Sequence, residues 1–244
     1  MQLQTHSLVC LLIFNDNKLQ LRLAYGRRWN AAANILLSPK ATALDGLNLQ
    51  IGAKLAAIPT SSGVSLFGYL PTFDYAVWHG WLKKHALLGD DKVSKNKHSN
   101  FFIKKIDLSV GAIKYNKHIF NQVALVVTPD KNSWRVALNA PVASGIVYVP
   151  DNFRTGILRG TLNHLNLNTY SSSTENYSLG DLPNLSISIN SLAWAGTQYG
   201  AVAIESRSRP NHFDLLRLVA KTQYLSFAGS GSWDKKGASQ VSIS

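Results

Sequence analysis

The sequence predicts a mainly β protein: a long, curved, antiparallel meander sheet with an open, groove-like face and one short helix. Three observations support this fold class. Apolar and polar residues alternate with a period of two in many short runs, turn-forming residues separate those runs, and only one segment has a helical period. The chain has 244 residues, 45% of them hydrophobic and 16% charged, so it can bury a sizeable core and is not disordered as a whole.

The alternating runs give each predicted strand one apolar and one polar face, because successive strand side chains point to opposite sides of a sheet. Antiparallel sheets with one solvated side have this pattern, whereas buried parallel strands are continuously apolar. The clearest runs are residues 19–24, 47–52, 106–111, 134–140 and 185–190. Turn signals such as Asn15-Asp16-Asn17 and Pro150-Asp151-Asn152 separate neighbouring runs, which predicts a meander of roughly a dozen strands.

One segment, from Phe73 to Leu88, has the three- and four-residue spacing of a helix. Asp74 lies near its predicted start, and Lys83-Lys84 near its end suits the helix dipole. The polar, lysine-rich residues 90–100 that follow are typical of a linker. We therefore expect a β-meander segment at 1–89 that ends in the helix, a basic polar linker at 90–100, and a second segment of the same sheet at 101–244. A further polar stretch, Thr169 to Ser178, is typical of a long surface loop.

The sequence contains no recognisable catalytic, metal-binding or cofactor-binding motif. Its seven histidines form no H-x-x-x-H pair, and the single cysteine, Cys10, excludes a cysteine-based zinc site within the chain. Phosphate-binding loops and a nucleophile elbow are also missing. We therefore predict a non-enzyme without catalytic residues, metal or cofactor. A site assembled across distant strands is the one enzymatic alternative.

The chain is basic, with 25 Lys and Arg against 13 Asp and Glu, a formal net charge of +12. Such a charge suits nucleic acid or anionic lipid headgroups. The seven lysines of residues 83–105 come without arginines for base contacts, so a solvated connector is favoured there. We expect no nucleic-acid partner, and a nucleic-acid-binding module is kept as an alternative.

The apolar runs are too short for a membrane-spanning helix, which needs about 20 residues. The run from Leu8 to Phe14 has no basic residue in front of it, unlike a signal peptide, and is followed by a turn signal. It therefore predicts a strand. We expect that this chain carries no targeting signal and that any membrane anchor lies outside it.

Several passages resemble AsmA-like envelope proteins, in particular the long YhdP-type members. Residues Gly63–Trp78 are similar to that family's G-x-x-L-x-G-x-L-P-x-x-D…W passage into a short helix. Residues Ala143–Pro150 resemble its a-x-G-x-i-x-v-P hairpin, and Leu158–Leu167 the L-x-G-x-L-x-x-L-x-L strand that follows. Residues Asp181–Trp194, with Gly200 and Gly229–Trp233, resemble its LP-x-L…W-x-G-x-x-x-G…G-x-W series. Together the passages cover most of residues 19–244 and resemble a C-terminal-region segment of those longer proteins.

This resemblance implies a function. AsmA-like proteins form long sheets with an apolar concave face, span the periplasm from an inner-membrane anchor, and carry phospholipids towards the outer membrane. The implied partners are phospholipid acyl chains, a membrane reached through an anchor outside this chain, and the rest of the sheet through edge-strand pairing. We expect a periplasmic location. The predicted lipid groove contains Trp134, Val136, Leu138, Leu185, Ile187 and Ile189, the apolar positions of two alternating runs.

A second function fits the same pattern. A non-catalytic structural or assembly module of the bacterial cell envelope would share the fold, but its own side chains would close the apolar face. The tryptophans do not separate the two functions, because large rings beside strands fill a core or line an acyl groove equally well. Those beside predicted strands are Trp29, Trp134, Trp194 and Trp233.

Overall fold

The structure is a computed structural model that describes residues 8–38, 41–84, 102–153, 155–167, 182–222, 226–234 and 239–243. These residues form fifteen β-strands and one α-helix. The first strands are β1 (Leu8–Asn15), β2 (Lys18–Tyr25), β3 (Trp29–Ser38), β4 (Ala41–Ile51), β5 (Gly63–Asp74), β6 (Ile103–Tyr115) and β7 (His118–Asp130), with helix α1 (Tyr75–Lys84) between β5 and β6. The later strands are β8 (Ser133–Asn139), β9 (Ala143–Pro150), β10 (Ile157–Asn166), β11 (Asn184–Trp194), β12 (Thr197–Arg209), β13 (His212–Lys221), β14 (Ser226–Asp234) and β15 (Ser239–Ile243).

The strands form one sheet in which their spatial order is their order along the chain. β1 and β15 are its two edges. Most neighbours are antiparallel, and two-residue turns join several of them, including β1 to β2 and β6 to β7. Asp16 in the β1–β2 turn and Asn116 in the β6–β7 turn adopt positive φ angles of 44° and 52°, which Asp and Asn tolerate better than most residues. The predicted mainly β fold, an open meander with one short helix, is confirmed.

Three neighbouring pairs depart from the antiparallel pattern: β4–β5, β5–β6 and β10–β11 are parallel. A parallel pair needs a crossover of about a dozen residues or more, because the chain must return to the same end of the sheet. Each of these pairs is joined by such a connection, at residues 52–62, 75–102 and 167–183. Among the described pairs, the antiparallel alternation of strand direction is therefore interrupted at these long connections.

Helix α1 begins at Tyr75, two residues later than predicted, because β5 continues through Asp74. The Asp74 carboxylate Oδ1 accepts a hydrogen bond from the backbone N–H of Val77 at 3.2 Å, which caps the first turn. Residues 85–88 of the predicted helix lie outside the described residues. None of the described segments is a helix of the length and apolarity needed to cross a membrane.

The chain divides into two compact units, Met1–Thr128 and Pro129–Ser244, called unit 1 and unit 2 below. Unit 1 contains β1 to β6, α1 and most of β7, and unit 2 contains β8 to β15. The predicted linker at 90–100 and the predicted loop from Thr169 to Ser178 lie outside the described residues, so both stay predictions.

Few described side chains are buried. The larger buried apolar residues are Val110, Val123, Leu162, Ile189 and Val202, and the others are alanines. The other described apolar side chains are mostly half-buried or exposed.

Candidate functional site

The strand register of unit 2 gives the sheet one apolar and one polar face, because directly paired residues point to the same side. One row of paired residues crosses all eight strands and contains only apolar residues and glycines. Its members, from β8 to β15, are Val136, Val147, Gly160, Ile187, Ile204, Leu218, Gly229 and Ile243. We call this side of unit 2 its apolar face.

All six residues predicted to form a lipid groove lie on the apolar face. Val136 and Ile187 belong to the row just described. Leu138 pairs with Gly145 and thereby belongs to a second row, which also contains Ile189. β8 and β11 are three strand spacings apart, about 14 Å. The structure thus brings Trp134, Val136, Leu138, Leu185, Ile187 and Ile189 onto one surface. Five of them are half-buried, and Ile189 is 4% exposed.

Gly160 lies in the middle of the row for a steric reason. A Cβ at this position would lie 2.4 Å from the backbone oxygen of Ile146 on β9. Any larger residue would separate β9 from β10 at the point where the row crosses them.

The apolar face contains a cavity of about 360 Å³ between β11 and β14. Its lining includes Trp194 and Tyr199, whose ring centroids are 6.3 Å apart. The remaining lining residues are Leu192, Val202, Ile204, Leu218, Ala220, Thr222 and Phe227. Sequence reasoning placed Trp194 beside a strand but did not find this cavity.

The opposite, polar face of unit 2 has a different composition. The row next to that of Ile187 runs through Arg135, Tyr148, Arg159, Ser186, Glu205 and Arg217. A broad depression of about 800 Å³ on this face is lined by residues such as Tyr148, Arg159 and Ser186. The described charged side chains of unit 2 at paired positions belong to this face, so the two sides of the sheet differ sharply in polarity.

A Ser–His pair ties β9 to an irregular part of β10. The Ser144 hydroxyl lies 2.8 Å from His164 Nδ1, and His164 Nε2 lies 3.1 Å from the backbone oxygen of Ala140. Since a carbonyl only accepts, Nε2 donates to the backbone oxygen of Ala140. The group that orients the imidazole is thus a backbone carbonyl, whereas hydrolase triads use a carboxylate. The residues are 20 positions apart, which hid the pair from sequence reasoning.

Unit 1 has the same two-faced construction. Its apolar row runs through Cys10, Leu23, Ala31, Leu49, Leu66, Ile106 and Val127 from β1 to β7. Its polar face is covered by the crossover at residues 52–62, which three asparagines hold. Asn30 donates to the carbonyls of Gly52 and Lys54 at 3.0 Å each, Asn34 to Pro59 at 2.7 Å, and Asn48 to Ala57 at 2.8 Å.

Helix α1 also lies on the polar side of unit 1. The ring of Trp78 stacks on Phe73, and Tyr75 meets Tyr115 edge to face. Phe67 on β5 pairs with Asp107 on β6, and both lie on the polar face. Phe73 and its partner Ile113 lie an even number of residues further along the same strands, and so does Tyr115, so they point to the same face. The described crossover and helix of unit 1 thus both pack on its polar face.

The described residues show no group of three or more His, Cys, Asp or Glu side chains placed to hold a metal ion. The rows of paired apolar residues offer apolar contact across the strands of unit 2. The predicted groove residues contribute to it, and the β11–β14 cavity extends it.

Comparison with known proteins identifies the family. Residues 3–244 match the family model described as YhdP protein. The chain has no significant match among curated proteins or solved structures. Because the family model covers nearly the whole sequence, the chain belongs to the YhdP protein family, a family of cell-envelope proteins.

Proposed function

We propose that this protein is a segment of an AsmA-like bridge that carries phospholipid across the periplasm, towards the outer membrane, along its apolar face. One observation carries the proposal. In each unit an uncharged apolar row crosses every strand, and its side chains are mostly half-buried rather than sealed. An acyl chain costs about 0.8 kcal/mol per CH₂ group when exposed to water, so a continuous apolar surface lets a lipid move without desolvation penalties.

The arrangement of the crossovers supports this proposal. In unit 1 the chain uses its own residues 52–62 to cover the polar face, through the amides of Asn30, Asn34 and Asn48. The apolar face, whose burial would stabilise the fold more, is left to other contacts. A surface kept for a transient apolar ligand would have this organisation.

The proposal includes partners and a location. Phospholipid acyl chains occupy the apolar face, and a membrane anchor outside this chain holds the protein in the periplasm. The sheet edges pair with further strands of the bridge. No reactive residue is needed, because the apolar face only shields acyl chains from water.

A pair of adjacent substitutions tests the proposal. Ile187 lies in the central apolar row and Ser188 in the polar row beside it. Ile187→Asp places an unpaired charge against the acyl chains, where even about 1.4 kcal/mol of lost binding free energy lowers the lipid affinity about tenfold. Ser188→Asp puts the same charge on the polar side and leaves lipid binding unchanged. Mass spectrometry of phospholipid co-purified with each variant measures the difference, and circular dichroism checks that both variants fold.

The alternative, a structural module of the envelope, gives a different result. If the parent protein carries no phospholipid and Ile187→Asp simply unfolds, the apolar face acts as a closed core and the transport proposal is wrong. Equal lipid content in folded Ile187→Asp and Ser188→Asp proteins would contradict it as well.

A further inference from the structure

The polar face of unit 2 carries an arginine–tyrosine–arginine row across three neighbouring strands. Tyr148 on β9 pairs with Arg135 on β8 and with Arg159 on β10, so the three side chains point to the same side of the sheet. The two arginines are two strand spacings apart, about 10 Å. Arg135 and Tyr148 are half-buried, and Arg159 is exposed. The row thus presents cationic groups on both sides of an aromatic ring.

The acidic side chains that the structure describes do not neutralise Arg135 or Arg159. Glu205, in the same row, lies 3.9 Å from Arg217 instead. Asp130 lines the depression, but its Oδ1 accepts a hydrogen bond from the backbone N–H of Lys131 at 3.1 Å, and it forms no ion pair with either arginine. Both guanidinium groups are therefore available to an anion, and arginine binds carboxylates through two parallel N–H···O hydrogen bonds.

Hydroxyl and amide groups form much of the remaining described lining of this depression, whose volume is about 800 Å³. Thr161 and Asn163 follow Arg159 along β10, and Ser186 and Ser188 pair with Arg159 and Thr161 from β11. The track from Arg159 to Asn163 is about 13 Å long. Hydroxyl and amide side chains both donate and accept hydrogen bonds, which matches the hydroxyl and amide groups of amino sugars.

The form of the depression fits a polymer better than a small molecule. Small-molecule pockets are concave and mostly apolar, and they enclose most of the ligand. This depression is broad and polar and lies on the face of a sheet, the kind of surface on which OB-folds bind oligosaccharides. A sugar ring can lie against the ring of Tyr148 through its C–H groups while its acidic substituents contact the arginines.

We propose that the polar depression of unit 2 binds a carboxylate-bearing glycan. Arg135 and Arg159 hold its carboxylate groups, Tyr148 contacts a sugar ring, and the serine, threonine and asparagine side chains bind its hydroxyl and amide groups. Because the chain belongs to a family of cell-envelope proteins, the polymer of this chemistry in its surroundings is the peptidoglycan of the cell wall. The site lies on the face opposite the proposed lipid path, so either can exist without the other.

Co-sedimentation of the full chain with purified peptidoglycan sacculi tests the site. Chitin particles are the control, since chitin has a similar N-acetylated sugar backbone without carboxylate groups. We expect the protein to bind sacculi at least about tenfold more tightly than chitin at an ionic strength of about 0.15 M. Equal affinity for the two particles, or no binding to sacculi, would overturn the proposal.

Substitutions that each remove one charge locate the binding. Arg159→Gln should weaken binding to sacculi about tenfold, because a guanidinium–carboxylate contact is lost. Arg22→Gln removes the same charge from an exposed arginine of unit 1 and should leave binding unchanged. Asp130→Asn should strengthen binding, since it removes a carboxylate that repels the ligand. Circular dichroism checks that each variant folds, and equal effects of Arg159→Gln and Arg22→Gln would contradict the assigned site.

Soluble competitors separate a glycan from other acidic polymers. Peptidoglycan fragments should displace the protein from sacculi, whereas poly-L-glutamate and a single-stranded oligonucleotide at the same concentration of charge should not. If either of these polymers displaces the protein as effectively as the fragments do, the depression binds anions without contacting sugar and the glycan assignment is wrong.

Discussion

At the scale of single residues, the most organised electrostatic group is His212 between two carboxylates. Its Nδ1 lies 2.7 Å from Asp234 Oδ1 across the strand pair, and its Nε2 lies 2.7 Å from Asp214 Oδ1 on its own strand. Arg209 Nη2 approaches Asp214 Oδ2 at 3.4 Å, and Arg207 stands opposite Asp214 in the register. Because both ring nitrogens face acceptors, the doubly protonated imidazolium fits this position best.

This arrangement gives the protein a pH-dependent stability. The hydrogen bond to Asp234 first, and then that to Asp214, raises the pKa of His212 above 6.5. Because the pKa of His212 is higher in the folded protein than in the unfolded one, the protonated side chain stabilises the fold. This stabilisation is fully present at pH values below the pKa in the unfolded protein and is lost as the pH rises through the pKa in the folded protein. We expect the free energy of unfolding of the parent to exceed that of His212→Gln at pH 5.5 and the gap to narrow above neutral pH. Urea unfolding at several pH values measures it, and a constant gap would contradict this assignment.

Alternation in the sequence predicts some residues of the candidate site and not others. Strict alternation placed Trp134, Val136 and Leu138 on one face correctly, because β8 is regular. It could not place Tyr199 and Val202 together, since residues three apart point to opposite sides of a regular strand. The register shift beside Leu192 and the positive φ of 68° at Gly200 turn both side chains to the apolar face. Because such bulges interrupt the two-residue alternation and leave no pattern of their own in the sequence, the alternation does not predict the cavity.

At the scale of elements, the long connections decide which strands run parallel. Alternation and turn residues predict the strands and the hairpins, since both depend on nearby residues. The parallel pairs depend instead on where a long connection returns the chain, which no local pattern encodes. In unit 1 the asparagines of β3 and β4 fix the returning segment, and only the structure shows that their amides bond to its carbonyls.

The contacts of the asparagines predict that replacing Asn30 lowers the free energy of unfolding more than replacing Asn48. Asn30 is 3% exposed and donates to two carbonyls of the crossover, whereas Asn48 makes one exposed hydrogen bond to Ala57. We expect Asn30→Ala to lower the free energy of unfolding by about 1–3 kcal/mol, because it removes two partly buried hydrogen bonds worth about 0.5–1.5 kcal/mol each. Asn48→Ala should cost about 0.5–1 kcal/mol, since water replaces its lost bond. Urea unfolding of the two variants compares them, and equal costs would show that the crossover is not held through Asn30.

At the scale of the whole molecule, the sheet has two edge strands, β1 and β15, that can pair with other strands. The eight residues of β1, Leu8–Asn15, are all exposed and include no charged residue or proline. Its apolar residues occupy both sides of the strand, unlike those of β2, whose Lys18, Gln20 and Arg22 stand on one side. Edge strands of soluble proteins usually carry charges, prolines or bulges that prevent pairing. β1 therefore has the composition of a strand paired and covered on both sides.

We therefore expect this chain to self-associate through β1. Leu12 on β1 and Leu216 on the interior strand β13 are both 49% exposed, so Leu12→Lys and Leu216→Lys remove similar apolar surface and add the same charge. The edge substitution should weaken association about tenfold or more, because it places a charge where a second strand would pair. The interior substitution should leave association unchanged, since β13 already has neighbours on both sides. Sedimentation velocity over a concentration series, with circular dichroism as a check on folding, measures both effects. Monomeric behaviour of the parent at high concentration, or equal effects of the two lysines, would show that the β1 edge does not mediate association.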